Sequence, residues 1–228
     1  MATDGIYWAE TAEEFIMFER YQHILWDWNG TLFDDAWLCI ASMNHILERH
    51  GLPLLTHERY RDVFRFPVRE YYCDLGLDFS RESFEHLSVE FMAYYEARKT
   101  ECNLFEGVHA TLSHIQQLGI GQSILSAYPL DSLVQIVRHF QLDGYFDYIF
   151  GLTDIYAHSK VELGQKWMRE RGYAQGDVLM IGDTEHDFEV AQAIGADCLL
   201  IADGHNAKAR LTTLGAPVMD TLGDLLAL

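Results

Sequence analysis

The stretch that decides the fold is Ile24–Phe33, ILWDWNGTLF, near the start of the chain. It begins with three large apolar residues, reaches Asp27, and then enters a turn that contains Asn29 and Gly30. Short apolar runs of this kind are typical of strands buried inside a parallel sheet. Because ligands bind at the carboxyl ends of such strands, Asp27 is a candidate functional residue.

More apolar runs follow along the chain, and amphipathic helical patterns separate them. This alternation predicts an α/β fold, a Rossmann-like parallel sheet covered by helices on both faces. The predicted strands after Ile24–Trp26 are Gln122–Leu125, Tyr148–Phe150, Val178–Ile181 and Cys198–Ile201, and the predicted helices between them are Leu130–Phe140, Lys160–Arg171 and Asp187–Ile194.

One region between Asp35 and Lys99 has helical patterns and no clear strand. The predicted helices are Ala36–His50, Glu58–Phe66 and Glu82–Lys99, with Asp34, Thr56 and Ser80 as their respective N-caps. We therefore predict an N-terminal extension at 1–20, with a short helix around Ala9–Arg20. The α/β core would comprise 21–34 and 104–228, and an inserted all-helical cap would comprise 35–103.

The charge balance is strongly acidic, with 16 lysines and arginines against 35 acids and a net charge of −19. That balance argues against partners that are nucleic acids or anionic membrane surfaces. No apolar run approaches transmembrane length, and the first residues lack the pattern of a secretory signal. We expect a soluble cytoplasmic protein, monomer or dimer, whose four cysteines are reduced.

Polar residues follow each of the predicted strands that lead into the sheet edge. Ser126 follows the second strand, Lys160 opens the helix after the third, and Asp183 follows the fourth, with Asp187 four residues later. Because the carboxyl ends of parallel strands meet at one edge, we expect these side chains to lie close to Asp27.

The residue types of this set suit the binding of a metal ion and of phosphate. Mg²⁺ prefers carboxylate oxygens together with water and substrate phosphate, so the three aspartates suit this ion. Ser126, Lys160 and Thr31, with the backbone N–H groups around Gly30, could bind phosphate oxygens. A carboxylate could then approach the phosphorus as a nucleophile.

With these motifs in this order, the chain resembles the haloacid dehalogenase superfamily. The resemblance rests on DWNGTL at 27–32, Ser126, Lys160 and GDTEHD at 182–187, and it extends over nearly all of 22–228. Within the superfamily, the chain is similar to the phosphoglycolate-phosphatase-like branch, which has a helical cap after the first motif.

The resemblance implies a role for each matching residue. Asp27 would be the nucleophile that forms an aspartyl-phosphate, and it would also bind Mg²⁺. The backbone carbonyl of Asn29 and the carboxylate of Asp183 would be further metal ligands, with Asp187 as another ligand or a group behind them. Thr31, Ser126 and Lys160 would orient the phosphoryl group.

Asn29 departs from the pattern of the family's phosphatases, which have a second aspartate at that position as general acid and base. An amide cannot exchange a proton near neutral pH, and general acid–base help is typically worth about 10²–10⁴-fold. We therefore expect impaired turnover of ordinary phosphate esters, unless the leaving group needs no acid or another group, such as Asp35, supplies one. A smaller departure is Val161, which stands where the family often has a proline after the lysine. Lys160 is the favoured lysine of the site, and Lys166 remains an alternative.

Two arginines of the predicted cap, Arg65 and Arg69, are candidates for contacts with a substrate carboxylate or second phosphate, although an exposed helix face is an equal interpretation. His23, His45, His109, His158 and His205 show no metal-ligand spacing and are predicted to be surface or packed residues.

The favoured prediction is a Mg²⁺-dependent hydrolase of a small phosphorylated metabolite that works through an aspartyl-phosphate at Asp27. One alternative is a phospho-ligand-binding protein with little turnover. Another is an enzyme that cleaves a different bond, in an acyl phosphate or a phosphonate. The phosphonate reaction in the known family uses a cap lysine, and the predicted cap has only Lys99, at its end.

Overall fold

The computed structural model describes residues 18–152 and 160–227 of the chain. Within them, the strands are β1 (His23–Trp26), β2 (Phe33–Asp34), β3 (Asn103–Leu104), β4 (Gly121–Pro129), β5 (Tyr148–Leu152), β6 (Val178–Gly182), β7 (Asp197–Ile201) and β8 (Val218–Met219). The α-helices are α1 (Ala36–Arg49), α2 (His57–Val63), α3 (Val68–Asp74), α4 (Phe84–Arg98), α5 (Val108–Gln117), α6 (Leu130–His139), α7 (Lys160–Arg171), α8 (Glu185–Ile194) and α9 (Lys208–Leu211). Short 3₁₀ turns lie at Phe18–Arg20, Lys99–Glu101, Asp143–Tyr145 and Leu222–Ala227.

Six strands form one sheet in the order β5-β4-β1-β6-β7-β8, and every neighbouring pair is parallel. Strand β1 lies in the middle, where Trp26 pairs with Ile124 on one side and Ile181 on the other. The chain leaves β1 toward β4 on one side and returns to β6 on the other, so its carboxyl end is the switch point of the sheet. The predicted α/β, Rossmann-like fold is confirmed.

The two tryptophans that flank Asp27 pack into this core, as their spacing predicts. Trp26 and Trp28 are both fully buried, and the ring of Trp28 stacks on Phe33 with a centroid distance of 5.4 Å. Because alternate residues of an extended segment point to opposite faces, the same spacing leaves Asp27 pointing the other way.

The helices α1 to α4 lie between β2 and β3, which pair with each other in antiparallel fashion. These helices enclose a cluster of buried side chains of their own, which includes Met43, Leu47, Tyr72 and Leu87. The stretch therefore has an apolar core separate from the two on the faces of the large sheet. The predicted limits of extension, core and cap stay a prediction.

The helix caps show where local sequence was misleading. Thr56 caps α2 as predicted, since its side chain accepts a hydrogen bond from the Arg59 N–H. The predicted cap Ser80 is wrong, because Ser83 caps α4 and accepts from the His86 N–H. Asp34 is also wrong as a cap: it lies in β2, and the residue before α1 is Asp35, whose carboxylate is bound elsewhere.

The sequence patterns missed the short strands β2, β3 and β8 and the helices α3, α5 and α9. Helix α2 ends at Val63 rather than at Phe66, in keeping with the steric restriction that Pro67 places on the residue before it. Of the predicted helix at Ala9–Arg20, only the 3₁₀ turn at Phe18–Arg20 falls among the described residues. Within residues 18–152 and 160–227, no helix is long and apolar enough to cross a membrane.

Candidate active site

The residues predicted at the strand ends meet at the carboxyl edge of the sheet. Asp27 follows β1 directly, and Lys160 is the first residue of α7. The Lys160 Nζ lies 2.8 Å from Asp27 Oδ1 and 2.5 Å from Asp187 Oδ1. Lys160 is 3% exposed, so this ammonium is buried between two carboxylates. Lys166, the other candidate, is exposed and pairs with Glu170 instead.

A third aspartate, Asp183, lies close to this pair of carboxylates. Asp27, Asp183 and Asp187 each offer a carboxylate oxygen within 4.8 Å of the others. Burial, and then the negative charge of Asp187, raise the pKa of Asp27 to about 7 despite Lys160. Burial likewise raises the pKa of Asp183 to about 6. The site therefore has more negative charge than its own residues neutralise.

Asp187 lies in the first turn of α8, and hydrogen bonds at the start of this helix fix its carboxylate. Its Oδ2 accepts hydrogen bonds from the Asp183 N–H, the Thr184 N–H and the Thr184 hydroxyl. Burial alone would raise the pKa of this carboxyl, but Lys160 and these donors lower it. Gly182 makes the close approach possible, because a Cβ at that position would collide with the Asp187 side chain.

Asp183 is fully buried, and its partners determine its orientation. Its Oδ1 accepts from the Thr31 hydroxyl at 2.8 Å, and its Oδ2 accepts from the His205 N–H at 2.6 Å. Gly30, at φ +74°, lies against it, and a Cβ there would collide with the carboxylate. Thr31 was predicted to bind phosphate. Its buried hydroxyl instead donates to Asp183, and Thr31 is not among the described residues that line the cavity above Asp27, so the phosphate contact stays a prediction.

Asn29 lies beside Asp27 with both amide hydrogens in use. Its Nδ2 donates to Asp35 Oδ2 at 2.8 Å and to the Tyr95 hydroxyl at 2.9 Å. The Tyr95 hydroxyl in turn donates to the same Asp35 oxygen at 2.6 Å, and the Gly30 N–H donates to the other oxygen at 3.0 Å. The side chain at position 29 is therefore held in a network behind the nucleophile candidate.

His205 completes this network, and it is buried and packed, which is one of the two predicted environments. Its Nε2 lies 3.4 Å from Asp35 Oδ1, and its Nδ1 lies 2.9 Å from the Tyr60 hydroxyl. Burial alone would lower the pKa of His205, but Asp35 and Asp183 outweigh it and raise the pKa to about 9. The imidazolium and Asp35 thus form a buried ion pair, and that pair lowers the pKa of Asp35.

The position of His205 carries a signal in the sequence. It comes four residues after the end of β7, so the same strand-end rule that identifies Asp183 applies to it. Tyr95 has no such signal, because its spacing with Phe91 and Leu87 on α4 is that of a core stripe.

Ser126 lies in β4 where the register with β5 shifts. Its hydroxyl oxygen accepts a hydrogen bond from the Tyr128 N–H at 3.1 Å, and the residue lines the cavity above Asp27. The structure therefore brings Ser126 to the place that its predicted phosphate contact requires.

The predicted cap arginines do not reach this cavity, which corrects the prediction for them. Arg65 is bound to Glu70 and Asp74 at 2.8 Å each, on the surface. The guanidinium of Arg69 lies 4.5 Å from the ring centroid of Phe79. Both cations have nearer partners on their own segment. His158 lies outside the described residues.

A cavity of about 160 Å³ opens above Asp27, between the sheet edge and the helices α1 to α4. Its floor is polar and includes Asp27, Asn29, Ser126 and Lys160. Its walls are largely aromatic and come mostly from α2, α3, α4 and the segment between α2 and α3.

The residues of the floor fit a divalent cation. Mg²⁺ favours one or two carboxylates with water and phosphate, and the three clustered carboxylates have only one ammonium among them. Burial is the main cause of the raised pKa of Asp27 and of Asp183, and the neighbouring charge of Asp187 adds to it. Asp27 and Asp183 would be the ligands, while Asp187 is already bound to Lys160 and Thr184.

The fold and this arrangement define a class of protein, and comparison with known proteins gives the same class. The family profile described as haloacid dehalogenase-like hydrolase matches residues 24–201, and the chain belongs to this family. The resemblance to the haloacid dehalogenase superfamily is thereby confirmed.

Two curated relatives span most of this chain. The tyrosine-protein kinase PtkA of Mycobacterium tuberculosis is 28% identical over 189 residues, which cover 82% of this chain but only 64% of the relative's length. The phosphoglycolate phosphatase of Aliivibrio fischeri is 23% identical over 224 residues, covering 92% of this chain and 94% of the relative.

Among solved structures, a haloacid dehalogenase-like family protein from Streptococcus pneumoniae superposes with a TM-score of 0.79 at 19% identity. The match covers 91% of this chain and 98% of the other. At that identity the match shows the shared fold and nothing about the substrate.

Proposed function

We propose that this protein is a Mg²⁺-dependent phosphohydrolase of a small phosphorylated molecule, with Asp27 as nucleophile. One observation carries the proposal: Asp27 lies at the floor of a cavity, bound to Lys160 at 2.8 Å and clustered with Asp183 and Asp187. The family match and the phosphoglycolate phosphatase relative support the same class of reaction.

In the first step, an oxygen of the Asp27 carboxylate forms a bond to phosphorus. The bond from phosphorus to the leaving oxygen breaks, and the electron pair goes with that oxygen. Water then attacks the phosphorus, which releases inorganic phosphate and restores the carboxylate. A bound Mg²⁺ would neutralise charge on the phosphoryl oxygens.

The residues around Asp27 prepare it for this role. Lys160 favours the ionised carboxylate, which is the nucleophilic form, and holds it by a hydrogen bond. Ser126 would donate its hydroxyl hydrogen to a phosphoryl oxygen. Asn29 contributes no proton transfer, because an amide side chain does not ionise near neutral pH.

The test is Mg²⁺-dependent release of phosphate from a panel of phosphate esters and acetyl phosphate. Asp27→Asn should abolish release, while Asp143→Asn, an exposed residue away from the cavity, should retain it. Acid-quenched protein should carry one phosphoryl group by intact mass in the parent and none in Asp27→Asn. Full activity in Asp27→Asn would contradict the proposal. Tight Mg²⁺-dependent phosphate binding without any turnover would favour the binding-protein alternative.

The role of Asn29 requires a double variant. In Asn29→Asp alone, the new carboxylate would lie against Asp35, since the present Nδ2 is 2.8 Å from Asp35 Oδ2. Asn29→Asp combined with Asp35→Asn keeps one carboxylate in the network and moves it to position 29. We expect this double variant to hydrolyse alkyl phosphates about 10²–10⁴-fold faster than the parent. An unchanged rate would show that Asn29 does not limit the reaction.

A second candidate is transfer of the phosphoryl group to a hydroxyl other than water. The PtkA relative is named a tyrosine-protein kinase, and the absence of a base at position 29 removes the group that would activate water. Phosphoryl-loaded protein mixed with a tyrosine peptide would transfer the label to the peptide if this candidate holds. Release of all the label as inorganic phosphate would exclude it.

A further inference from the structure

The cavity above Asp27 has the size and surface to accept one six-membered ring. Its volume is about 160 Å³, and its walls include Tyr60, Phe64, Phe66, Tyr71, Tyr72 and Phe91. An apolar cavity of about 150 Å³ in a protein interior binds benzene. The part of the substrate that carries the phosphate is therefore expected to be flat and apolar.

The cavity offers no free cation for a second negative charge on the substrate. Among the described residues that line it, Lys160 is the one lysine or arginine, and it is bound to Asp27 and Asp187. His205 is paired with Asp35, and His186 with Glu189. A carboxylate that entered with the phosphate would be desolvated without a partner, which is costly.

The residues on the floor of the cavity also favour a substrate whose leaving group departs easily. With Asn29 in place of a general acid, the leaving oxygen must depart without a proton. The hydroxyl of a phenol has a pKa of about 10, as in tyrosine. A phenolate is a far weaker base than an alkoxide, so it leaves more readily without protonation.

We propose that the substrates are aryl phosphates, that is, phosphate monoesters of small phenols. The proposal rests on the phosphohydrolase function proposed above. The bond from Asp27 to phosphorus forms, and the bond from phosphorus to the aryl oxygen breaks. The aryl oxygen leaves with the electron pair as a phenolate, and it takes its proton from solvent. Water then hydrolyses the aspartyl-phosphate.

The test compares kcat/KM with Mg²⁺ for phenyl phosphate and cyclohexyl phosphate, which have rings of similar size but different leaving groups. Phenyl phosphate should be favoured by about 100-fold or more, the smallest usual effect of a general acid. 2-Phosphoglycolate should be poorer than phenyl phosphate by a similar factor. Cyclohexyl phosphate or 2-phosphoglycolate turned over as fast as phenyl phosphate would overturn the proposal.

Acetyl phosphate separates this proposal from the one on which it rests. It has a good leaving group and needs no aromatic wall. Asp27-dependent hydrolysis of acetyl phosphate, without faster hydrolysis of phenyl than of cyclohexyl phosphate, refutes the aryl substrate and leaves the phosphohydrolase intact. No hydrolysis of any of the four compounds refutes the phosphohydrolase itself.

Discussion

Two groups of buried polar residues lie side by side at the carboxyl edge of the sheet, and they differ in how the charge of their carboxylates is balanced. The first group is Asp27, Asp183 and Asp187 with Lys160, and the second group is Asp35 with its partners Asn29, Tyr95 and His205. Asp27 and Asp187 share one ammonium, from Lys160, while Asp183 lies within 4.8 Å of both and accepts from the Thr31 hydroxyl and the His205 N–H. Asp35 alone receives donors from Asn29, Tyr95 and Gly30 and faces His205. The pKa of Asp27 is raised to about 7, whereas the pKa of Asp35 is lowered.

The difference teaches what each group is prepared to do. A carboxylate cluster with unbalanced charge gains from a divalent cation, while an ion pair that is already satisfied gains little. Asp35, Cys39 and His205 are also close enough together to surround an ion, but the pairing of Asp35 with His205 already neutralises them. We therefore propose that a metal would bind to the first group and that the second group has a supporting role.

The largest expected effect comes from removing the cation that binds Asp27 and Asp187. Lys160→Met leaves these two buried carboxylates without their partner, and breaking a buried pair in this way costs about 3–5 kcal/mol. Urea unfolding at pH 8 without divalent metal should show this loss in the free energy of unfolding. Lys166→Met, on the exposed face of the same helix, should change it by at most about 0.5 kcal/mol. Equal effects of the two substitutions would break the comparison.

The second prediction separates the two groups by their response to metal. Mg²⁺ at 100 times its Kd should raise the free energy of unfolding by about 2.7 kcal/mol. Asp183→Asn should remove most of this gain, and Asp35→Asn should keep it. Thermal unfolding with and without Mg²⁺ measures both variants. A gain lost in Asp35→Asn and kept in Asp183→Asn would reverse the assignment.

The first group was predictable from sequence because each of its members follows an identifiable element. Asp27 and Asp183 directly follow strands, and Lys160 begins a helix, so one rule about strand ends collects them. The parallel sheet was predictable for a similar reason. Its buried strands are short apolar runs, and its helices have apolar residues at helical spacing. The short edge strand β8 lacks such a run.

Apart from His205, which follows β7, the second group was not predictable, because most of its bonds join distant positions through side chains. Asp35 and Tyr95 are 60 residues apart, and Tyr60 and His205 are 145 apart. Nothing in the periodicity of α4 shows that the hydroxyl of Tyr95 is needed at the site. The error over Arg65 has the same origin, since the positions of Glu70 and Asp74 in the fold decide where its guanidinium lies.

The third prediction sharpens the comparison by placing a second charge in the satisfied group. Asn29→Asp should destabilise the protein, because two carboxylates would meet where an amide now donates at 2.8 Å. In the presence of Asp35→Asn, the same substitution should cost less. The interaction energy between the two sites should be about 0.5–3 kcal/mol. Strictly additive effects, measured in a double-mutant cycle by urea unfolding, would show that positions 29 and 35 do not interact.

The smallest expected effect reports on the charge of Asp35 through its neighbour Asp34. Burial, and then the charge of Asp35, raise the pKa of Asp34 above its usual value. A carboxyl whose pKa is raised on folding favours the folded state most at low pH, and it loses that contribution as the pH rises through its pKa in the fold. Asp34→Asn should therefore leave stability unchanged at pH 3. Above pH 6 it should increase stability, by at most about 0.5 kcal/mol for this partly exposed side chain.

In an Asp35→Asn background, the stability gained from Asp34→Asn should shrink, because the repelling charge of Asp35 is gone, although the effect of burial on Asp34 remains. The same gain in both backgrounds would mean that Asp35 carries no charge, and the contrast between the two carboxylate groups would then fail.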